Sequence, residues 1–171
     1  MLYEFITPSD PITFAAPDDK IAFVCALILG NGEAFCTRED GEKVGTCFLF
    51  AGEGVLDAAI QETLGSNLSD FMDANCEAVA TAFESFAYGG FERRRQYDDA
   101  LAAITDPHKI AEFKAKHEDR NRSSMSTWVK GAWSYAKNFR AKMAERAAAE
   151  GSADGNGEAK SGADSASRNK P

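Results

Sequence analysis

Residues 2–29 read LYEFITPSDPITFAAPDDKIAFVCALIL, and this stretch decides the fold class. Its first part predicts two short strands, residues 2–6 and 12–15, because both are rich in aromatic and β-branched side chains and Pro8 separates them. Its second part predicts a helix that starts at Pro17, with Asp18 and Asp19 in the first turn. Apolar side chains then recur at helical spacing until Gly30-Asn31-Gly32 ends the helix: Ile21, Val24, Cys25, Ile28 and Leu29. Paired strands followed by a helix indicate an α+β fold.

A second pair of strands is expected around the dipeptide Asp40-Gly41, which is typical of a tight reversal. We predict strands over residues 33–38 and 45–51. In the second of these, apolar side chains occupy consecutive positions from Cys47 to Phe50, so both faces of the strand should be covered by protein. Residues 1–52 therefore predict a small antiparallel sheet and one helix.

The chain from residue 53 to residue 150 is expected to be helical and to cover the sheet. We predict helices over residues 55–64, 67–88, 92–104, 107–117 and 126–149, with residues 119–127 as a polar link. Gly65 and the pair Gly89-Gly90 are the expected helix ends, while Asn67 and Asp106 are the expected caps at helix starts. Residues 1–150 thus form one α+β domain, in which the N-terminal sheet is packed by several C-terminal helices.

The last segment, residues 151–171, consists of small and polar residues with no aromatic or β-branched side chain. Such a segment cannot bury enough apolar surface to offset the entropy of ordering. We expect a disordered tail that the domain does not need in order to fold.

Charge is distributed unevenly along the chain. Residues 1–90 carry 15 acidic and 3 basic side chains, a net of −12, whereas residues 91–150 carry 9 acidic and 13 basic side chains, a net of +4. This asymmetry has two interpretations. It reflects either an acidic, soluble surface with basic helix faces, or two faces of opposite charge that attract different partners.

Four carboxylates of the helix predicted over residues 67–88 recur at spacings of three, four and seven, so they should line one side of that helix: Asp70, Asp73, Glu77 and Glu84. We call this set the acidic ridge. One interpretation is that the ridge mimics a phosphate backbone and meets a basic protein surface. The other is that it is a solvated helix face.

The last helix carries a second candidate surface. On a helical wheel that advances about 100° per residue, apolar side chains form the expected buried stripe: Trp128, Ala132, Tyr135, Phe139 and Met143. Trp133 falls on the outer face, among Lys130, Lys137 and Arg140, and we call these four residues the basic–aromatic patch. Trp133 there either stacks on a base or a partner, or packs against a neighbouring element with lysine stems around it. Together with Arg93-Arg94-Arg95, this helix is the best nucleic-acid candidate, although a net charge of −8 disfavours binding to DNA.

Residue patterns of catalysis and cofactor binding are missing from the sequence. Gly30-Asn31-Gly32 follows a helix instead of preceding one, which predicts a helix end and not a phosphate loop. His117 shares an apolar face with Ile110 and Phe113, and His108 falls in an exposed first turn. We therefore expect a non-enzymatic protein with no catalytic residue and no cofactor.

The four cysteines are expected to be reduced and structural. Cys25, Cys36 and Cys47 are spaced by eleven residues, and the fourth, Cys76, is remote, so no C-x-x-C ligand pair exists. Free cysteine is among the most buried residue types. We therefore expect no metal.

A membrane location is not expected. The longest apolar run, residues 21–29, is about half the ~20 residues of a membrane span. The N-terminus lacks the basic region of a secretory signal. These features favour a soluble protein of the cytoplasm, and they leave the oligomeric state undecided.

Several segments between residues 18 and 125 resemble a known group of proteins. They are residues 18–32 (DDKIAFVCALILGNG), the turn Asp40-Gly41, residues 93–107 (RRRQYDDALAAITDP) and residues 118–125 (EDRNRSSM). With these, the chain resembles small uncharacterised proteins encoded by bacteriophages and prophages of Gram-negative bacteria. The resemblance implies a phage or prophage origin and supplies no catalytic residues.

The function expected from these features is that of a phage accessory protein that binds a host or phage protein inside the host cell. One alternative is a protein of the virion or of its assembly. Another is a nucleic-acid-binding module that uses the basic last helix.

Overall fold

The computed structural model describes residues 1–6, 11–30, 35–44, 53–117 and 119–154. Four strands come first, and one helix lies among them: β1 (Leu2–Ile6), β2 (Ile12–Ala15), α1 (Asp19–Gly30), β3 (Phe35–Arg38) and β4 (Lys43–Val44). Five helices follow: α2 (Glu53–Leu64), α3 (Leu68–Ala74), α4 (Cys76–Ala102), α5 (Pro107–Lys116) and α6 (Asp119–Asp154). The predicted α+β fold, with an N-terminal antiparallel sheet and C-terminal helices, is confirmed.

The sheet has the strand order β2-β1-β3-β4, and every neighbouring pair is antiparallel. The predicted pairing of residues 2–6 with residues 12–15 is confirmed, with Tyr3 opposite Phe14 and Phe5 opposite Ile12. Because side chains alternate along a strand, the register places one set on the same face, and all of them are buried: Tyr3, Phe5, Ile12, Phe14, Cys36 and Val44. This face of the sheet forms one side of the hydrophobic core.

Helix α1 is buried on all sides, as residues 21–26 show. The helix begins at Asp19, two residues later than the prediction. Asp18 caps it, because the Asp18 carboxylate accepts a hydrogen bond from the backbone N–H of Ile21 at 2.9 Å. The helix ends at Gly30 as expected.

The predicted turn at Asp40-Gly41 is confirmed, and Gly41 has a φ of 84°, which favours glycine. Strand β4 begins at Lys43, earlier than the predicted start at residue 45. The rest of that predicted strand, including Cys47 to Phe50, lies outside the described residues.

The predicted end of α2 and the predicted caps of α3 and α5 are confirmed. Gly65, with a φ of 79°, comes directly after the last residue of α2, Leu64. Asn67 caps α3 by accepting a hydrogen bond from the N–H of Asp70 at 2.9 Å. Asp106 caps α5, which begins at Pro107.

The predicted helix over residues 67–88 is wrong at two points. It is interrupted at Asn75, which separates α3 from α4, and α4 continues through Gly89-Gly90 as far as Ala102. Instead of ending a helix, the two glycines allow α4 to pack closely against its neighbours. A Cβ at Gly89 would lie closer than 3.0 Å to the carbonyl oxygen of Thr13, and one at Gly90 closer than 3.0 Å to the side chain of Val129.

The predicted polar link over residues 119–127 is also wrong, since α6 is helical from Asp119. The helix continues to Asp154, so the expected tail does not begin at residue 151, and residues 155–171 lie outside the described part. Within the described ranges, no helix has both the length and the hydrophobicity needed to cross a bilayer.

The buried face of α6 is rotated relative to the predicted stripe. Among the α6 side chains that the structure describes, the buried ones are small, namely Val129, Ala132 and Ala136, and Phe139 is half-buried beside them. Tyr135 was predicted to be buried but is 42% exposed, with its ring stacked on Phe83. The reason is that small side chains let α6 approach α4 closely, whereas the prediction centred the stripe on the largest rings.

Aromatic rings join the helices to the sheet. The ring of Phe86 in α4 lies 5.0 Å from that of Phe5 and 5.7 Å from that of Phe14, and Trp128 of α6 lies 5.6 Å from Phe5. The helices α4 and α6 are thereby fixed on the sheet, and they carry the surfaces described next.

A candidate interaction surface on helices α4 and α6

The acidic ridge and the basic–aromatic patch are joined to each other by a partly exposed ion pair between Glu84 and Arg140. The guanidinium of Arg140 donates two hydrogen bonds to the carboxylate of Glu84, at 3.0 and 3.1 Å, and a third to the hydroxyl of Thr81 at 3.0 Å. The bond from Arg140 lowers the pKa of the Glu84 carboxyl below its ordinary value. A two-bond contact between a guanidinium and a carboxylate is the strong form of an ion pair, so these two residues join α4 to α6.

A second carboxylate of the ridge is held in the same way. Asp73 of α3 accepts a hydrogen bond from Lys142 and also pairs with Arg146 at 3.5 Å. These contacts, above all the bond from Lys142, lower the pKa of Asp73. The sequence did not single out Lys142 or Arg146, because their acidic partners lie about seventy positions earlier in the chain.

The remaining two members of the ridge form none of these ion pairs. Asp70 accepts a hydrogen bond from the side chain of Asn67, its own helix cap, at 2.6 Å. Glu77 is exposed on α4. The ridge is therefore divided between two helices, and two of its four carboxylates are occupied by α6. Its binding to a basic partner stays a prediction.

Trp133 lies at the surface, as the wheel indicated, and 44% of it is exposed. It contacts two α4 residues that are exposed still further, Tyr88 at 61% and Phe91 at 51%. The Trp133 ring lies 5.8 Å from that of Tyr88 and 6.4 Å from that of Phe91, and the latter two rings are 6.5 Å apart. We call these three residues the aromatic surface.

The surroundings of the aromatic surface are positive on the α6 side. Lys130 and Lys137 are exposed and lie three residues before and four residues after Trp133, so all three share one side of the helix. Across the described ranges, neither lysine forms an ion pair. Arg140, the fourth member of the patch, differs from them because Glu84 binds it.

The sequence pattern did not indicate Tyr88 and Phe91 as residues of the candidate site. They are three positions apart on one helix, a spacing that places two rings side by side. The expectation that Gly89-Gly90 ends the helix placed Tyr88 at the end of one predicted helix and Phe91 between two, which concealed that they share a face.

Of the three consecutive arginines at positions 93–95, Arg94 and Arg95 already form ion pairs. Arg94 pairs with Asp98 at 2.8 Å, and Arg95 pairs with Glu92 at 2.6 Å and with Asp99 at 3.0 Å. These contacts are ion pairs between residues three or four positions apart on α4. Charge there is largely balanced within the helix.

The described cysteines are buried thiols. Cys25, Cys36 and Cys76 are free and buried, while Cys47 lies outside the described residues. The thiol of Cys36 donates to the carbonyl oxygen of Val44 at 3.4 Å. Burial, with a smaller contribution from Cys36, raises the pKa of the Cys25 thiol, so Cys25 stays protonated and unreactive.

The histidines have structural surroundings. His117 ends α5 and its ring contacts those of Phe113 and Tyr97, at 4.5 and 6.1 Å, while His108 is exposed. Over the described part of the chain, no three side chains of His, Cys, Asp or Glu come together as metal ligands would.

One further polar cluster lies at the N-terminus. The Tyr3 hydroxyl donates to Asp19 at 2.8 Å, and Arg38 donates to the other oxygen of Asp19 at 3.3 Å. Burial and the bond to Asp19 raise the pKa of Tyr3. Arg38 also pairs with Asp40 and Glu42 and lines an open surface cavity of about 470 Å³. Three carboxylates surround Arg38. The cluster therefore has a structural role, because it joins α1, β1 and β3.

Comparison with known proteins adds no relative: no protein-family model, curated protein or solved structure matches the chain. The function must therefore be argued from the surface of the molecule itself.

Proposed function

We propose that this chain is a non-enzymatic protein-binding module and that the aromatic surface is its contact site. The observation that carries the proposal is the mutual contact of three large rings, Tyr88, Phe91 and Trp133, each between 44% and 61% exposed. Single exposed apolar side chains are ordinary, but a contiguous exposed patch is typical of a binding surface.

The composition of the site supports a protein partner. Tryptophan and tyrosine are enriched among the residues that contribute most to binding between proteins, since they offer a large contact area with few rotatable bonds. The two exposed lysines beside Trp133 supply the polar rim that surrounds such a centre.

The two helices beneath the rings are packed closely and joined by an ion pair. Below the aromatic surface, Gly90 of α4 lies against Val129 of α6, and Glu84 and Arg140 join the same two helices farther along. A surface whose rings are already held in place loses less entropy when a partner binds.

The acidic ridge is the less favoured contact site. Two of its carboxylates, Asp73 and Glu84, are bonded to cations of α6. A basic partner would have to displace those cations, and no comparable displacement is needed at the aromatic surface.

A capture experiment tests the proposal. The tagged full-length chain is exposed to a lysate of the organism that encodes it, and bound proteins are quantified by mass spectrometry for the wild type and for the Trp133→Ser variant. We expect a nuclease-resistant protein partner that Trp133→Ser loses. The matched control is Tyr135→Ser, since Tyr135 lies on the same helix, is 42% exposed against 44% for Trp133, and points to another side.

The control should retain the partner, and thermal melting should show that both variants are folded. A partner that survives the combined substitution of Tyr88, Phe91 and Trp133 by serine would remove the aromatic surface from consideration. Binding that nuclease treatment abolishes would favour the alternative, a nucleic-acid-binding module that uses α6.

The biological setting implied by the resemblance, a phage or prophage accessory protein acting in the host cytoplasm, is part of the same proposal. The alternative setting is the virion or its assembly. The genes next to the one that encodes this chain discriminate between them: tail genes favour assembly, whereas a cluster of small early genes favours an accessory role.

A further inference from the structure

We infer that the aromatic surface takes an acidic amphipathic helix, an inference that rests on the proposed function. The site lies across the line where α4 and α6 meet, because Tyr88 and Phe91 belong to one helix and Trp133 to the other. A partner must therefore bring an apolar stripe that contacts both helices.

The charge beside the rings is the first argument. The neighbouring cations of α4 and α6 already have carboxylate partners: Arg94, Arg95, Arg140, Lys142 and Arg146. Lys130 and Lys137 are exposed and have no such partner anywhere in the described ranges. The charge that remains available at this site is positive, and its complement is a pair of carboxylates.

The spacing of the two lysines is the second argument. They are seven residues apart on α6, which corresponds to about 10 Å along the helix axis. Carboxylates at positions i and i+7 of a partner helix have the same separation and lie on one face, with positions i+3 and i+4 between them. Apolar side chains at i+3 and i+4 would then rest on the aromatic surface.

An extended peptide fits less well. Side chains on one face of a strand recur about every 6.6 Å, so carboxylates would be about 7 or 13 Å apart instead of 10 Å. A single strand of nucleic acid carries a phosphate at every nucleotide, which is more negative charge along this face than Lys130 and Lys137 neutralise, and it is an outcome of the test below.

The test is a selection of helical peptides that does not presuppose their charge or their apolar pattern. A displayed library of helical peptides, randomised on one face, is selected on the full-length chain after depletion on the Trp133→Ser variant. We expect enrichment of Asp or Glu at i and i+7 with apolar residues at i+3 and i+4. The Lys130→Glu/Lys137→Glu variant should weaken binding of a selected peptide by about tenfold or more and should itself select basic peptides.

The control for charge reversal is Lys109→Glu/Lys116→Glu. These two lysines are also seven residues apart and exposed, but they lie on α5. The control variant should bind the selected acidic peptides as the wild type does.

The remaining outcomes separate this inference from the proposed function. Peptides that depend on Trp133 but are neutral or basic would overturn the acidic helix and leave the protein-binding surface standing. If no helical peptide depends on Trp133, the acidic helix is overturned, whereas the protein-binding surface is decided by the capture experiment with the triple serine variant. If a fluorescent oligothymidylate binds at Trp133 in place of a peptide, both proposals are overturned.

Discussion

Gly89 of helix α4 lies directly against the carbonyl oxygen of Thr13 in strand β2, with no room for a Cβ between them. One turn earlier on α4, the hydroxyl of Ser85 accepts a hydrogen bond from the backbone N–H of Ala15 at 2.8 Å. Strand β2 is an edge of the sheet, and an uncovered edge is a template for pairing with another chain. Helix α4 therefore covers this edge, and Gly89 permits the approach.

The Gly89→Ala substitution should destabilise the protein. In an open helix this change stabilises by about 1 kcal/mol, but here the new methyl group meets backbone that cannot move aside. We expect a net loss of about 1–3 kcal/mol, the usual cost of overpacking. Urea denaturation measures it.

Gly131→Ala is the matched control for that experiment. Gly131 lies inside α6, and a Cβ there would meet nothing nearer than Leu29 at 3.8 Å, an ordinary contact. This variant should be as stable as the wild type or more stable by up to about 1 kcal/mol. Equal effects at the two glycines would show that α4 is not held against β2 as described.

Gly90 and Val129 should be energetically coupled. A Cβ at Gly90 would clash with the side chain of Val129, which is buried and, being β-branched, has one preferred rotamer in a helix. Gly90→Ala alone should therefore destabilise by about 1–3 kcal/mol. In a Val129→Ala background, the same change should cost little or nothing.

A double-mutant cycle, measured by denaturation of the four proteins, gives the coupling energy. We expect at least about 1 kcal/mol, since contacting residues are not additive. Additive effects of the two substitutions would mean that α4 and α6 do not touch at this point.

The sequence predicted those parts of the fold that local chemistry determines. Strands β1 and β2, the turn at Asp40-Gly41 and the caps Asn67 and Asp106 are indicated by residues that are adjacent in the chain. The role of Gly89-Gly90 could not be predicted from the adjacent residues alone. A glycine pair indicates a helix end or a close approach of two elements, and only the position of β2 and α6 decides between them.

The candidate site was predicted in part for the same reason. The exposure of Trp133 follows from the periodicity of α6, but its contacts with Tyr88 and Phe91 require the packing of α6 on α4. The ion pair of Glu84 with Arg140 joins residues 56 positions apart, and nothing in the spacing of charges along the chain indicates it.

Two phenylalanines of α4 should differ sharply in their contribution to stability. Phe86 is completely buried between the sheet and the helices, whereas Phe91 is 51% exposed in the aromatic surface. We expect Phe86→Ala to cost about 3–5 kcal/mol and Phe91→Ala to cost less than about 1 kcal/mol. Thermal and urea unfolding of both variants test this, and a strongly destabilised Phe91→Ala would indicate that Phe91 belongs to the core instead of a binding surface.

The ion pair of Glu84 with Arg140 should make stability depend on pH in a defined direction. The hydrogen bond from Arg140 lowers the folded-state pKa of Glu84, so the unfolded chain binds a proton at a higher pH, near 4.3 for an ordinary glutamate. The pair's contribution is therefore complete above that pH and is lost as the pH falls through the folded-state pKa. Because the pair is partly exposed, we expect at most about 1 kcal/mol.

Denaturation curves of the wild type and Glu84→Gln at several pH values measure this contribution. The difference between the two proteins should be largest near neutral pH and shrink in acid, and salt should reduce it since the pair is partly exposed. Glu62→Gln is the control, because Glu62 is exposed on α2 and has no ion pair within the described ranges. A difference that stays constant from neutral pH into acid would mean that Glu84 stabilises the helix pair without its charge.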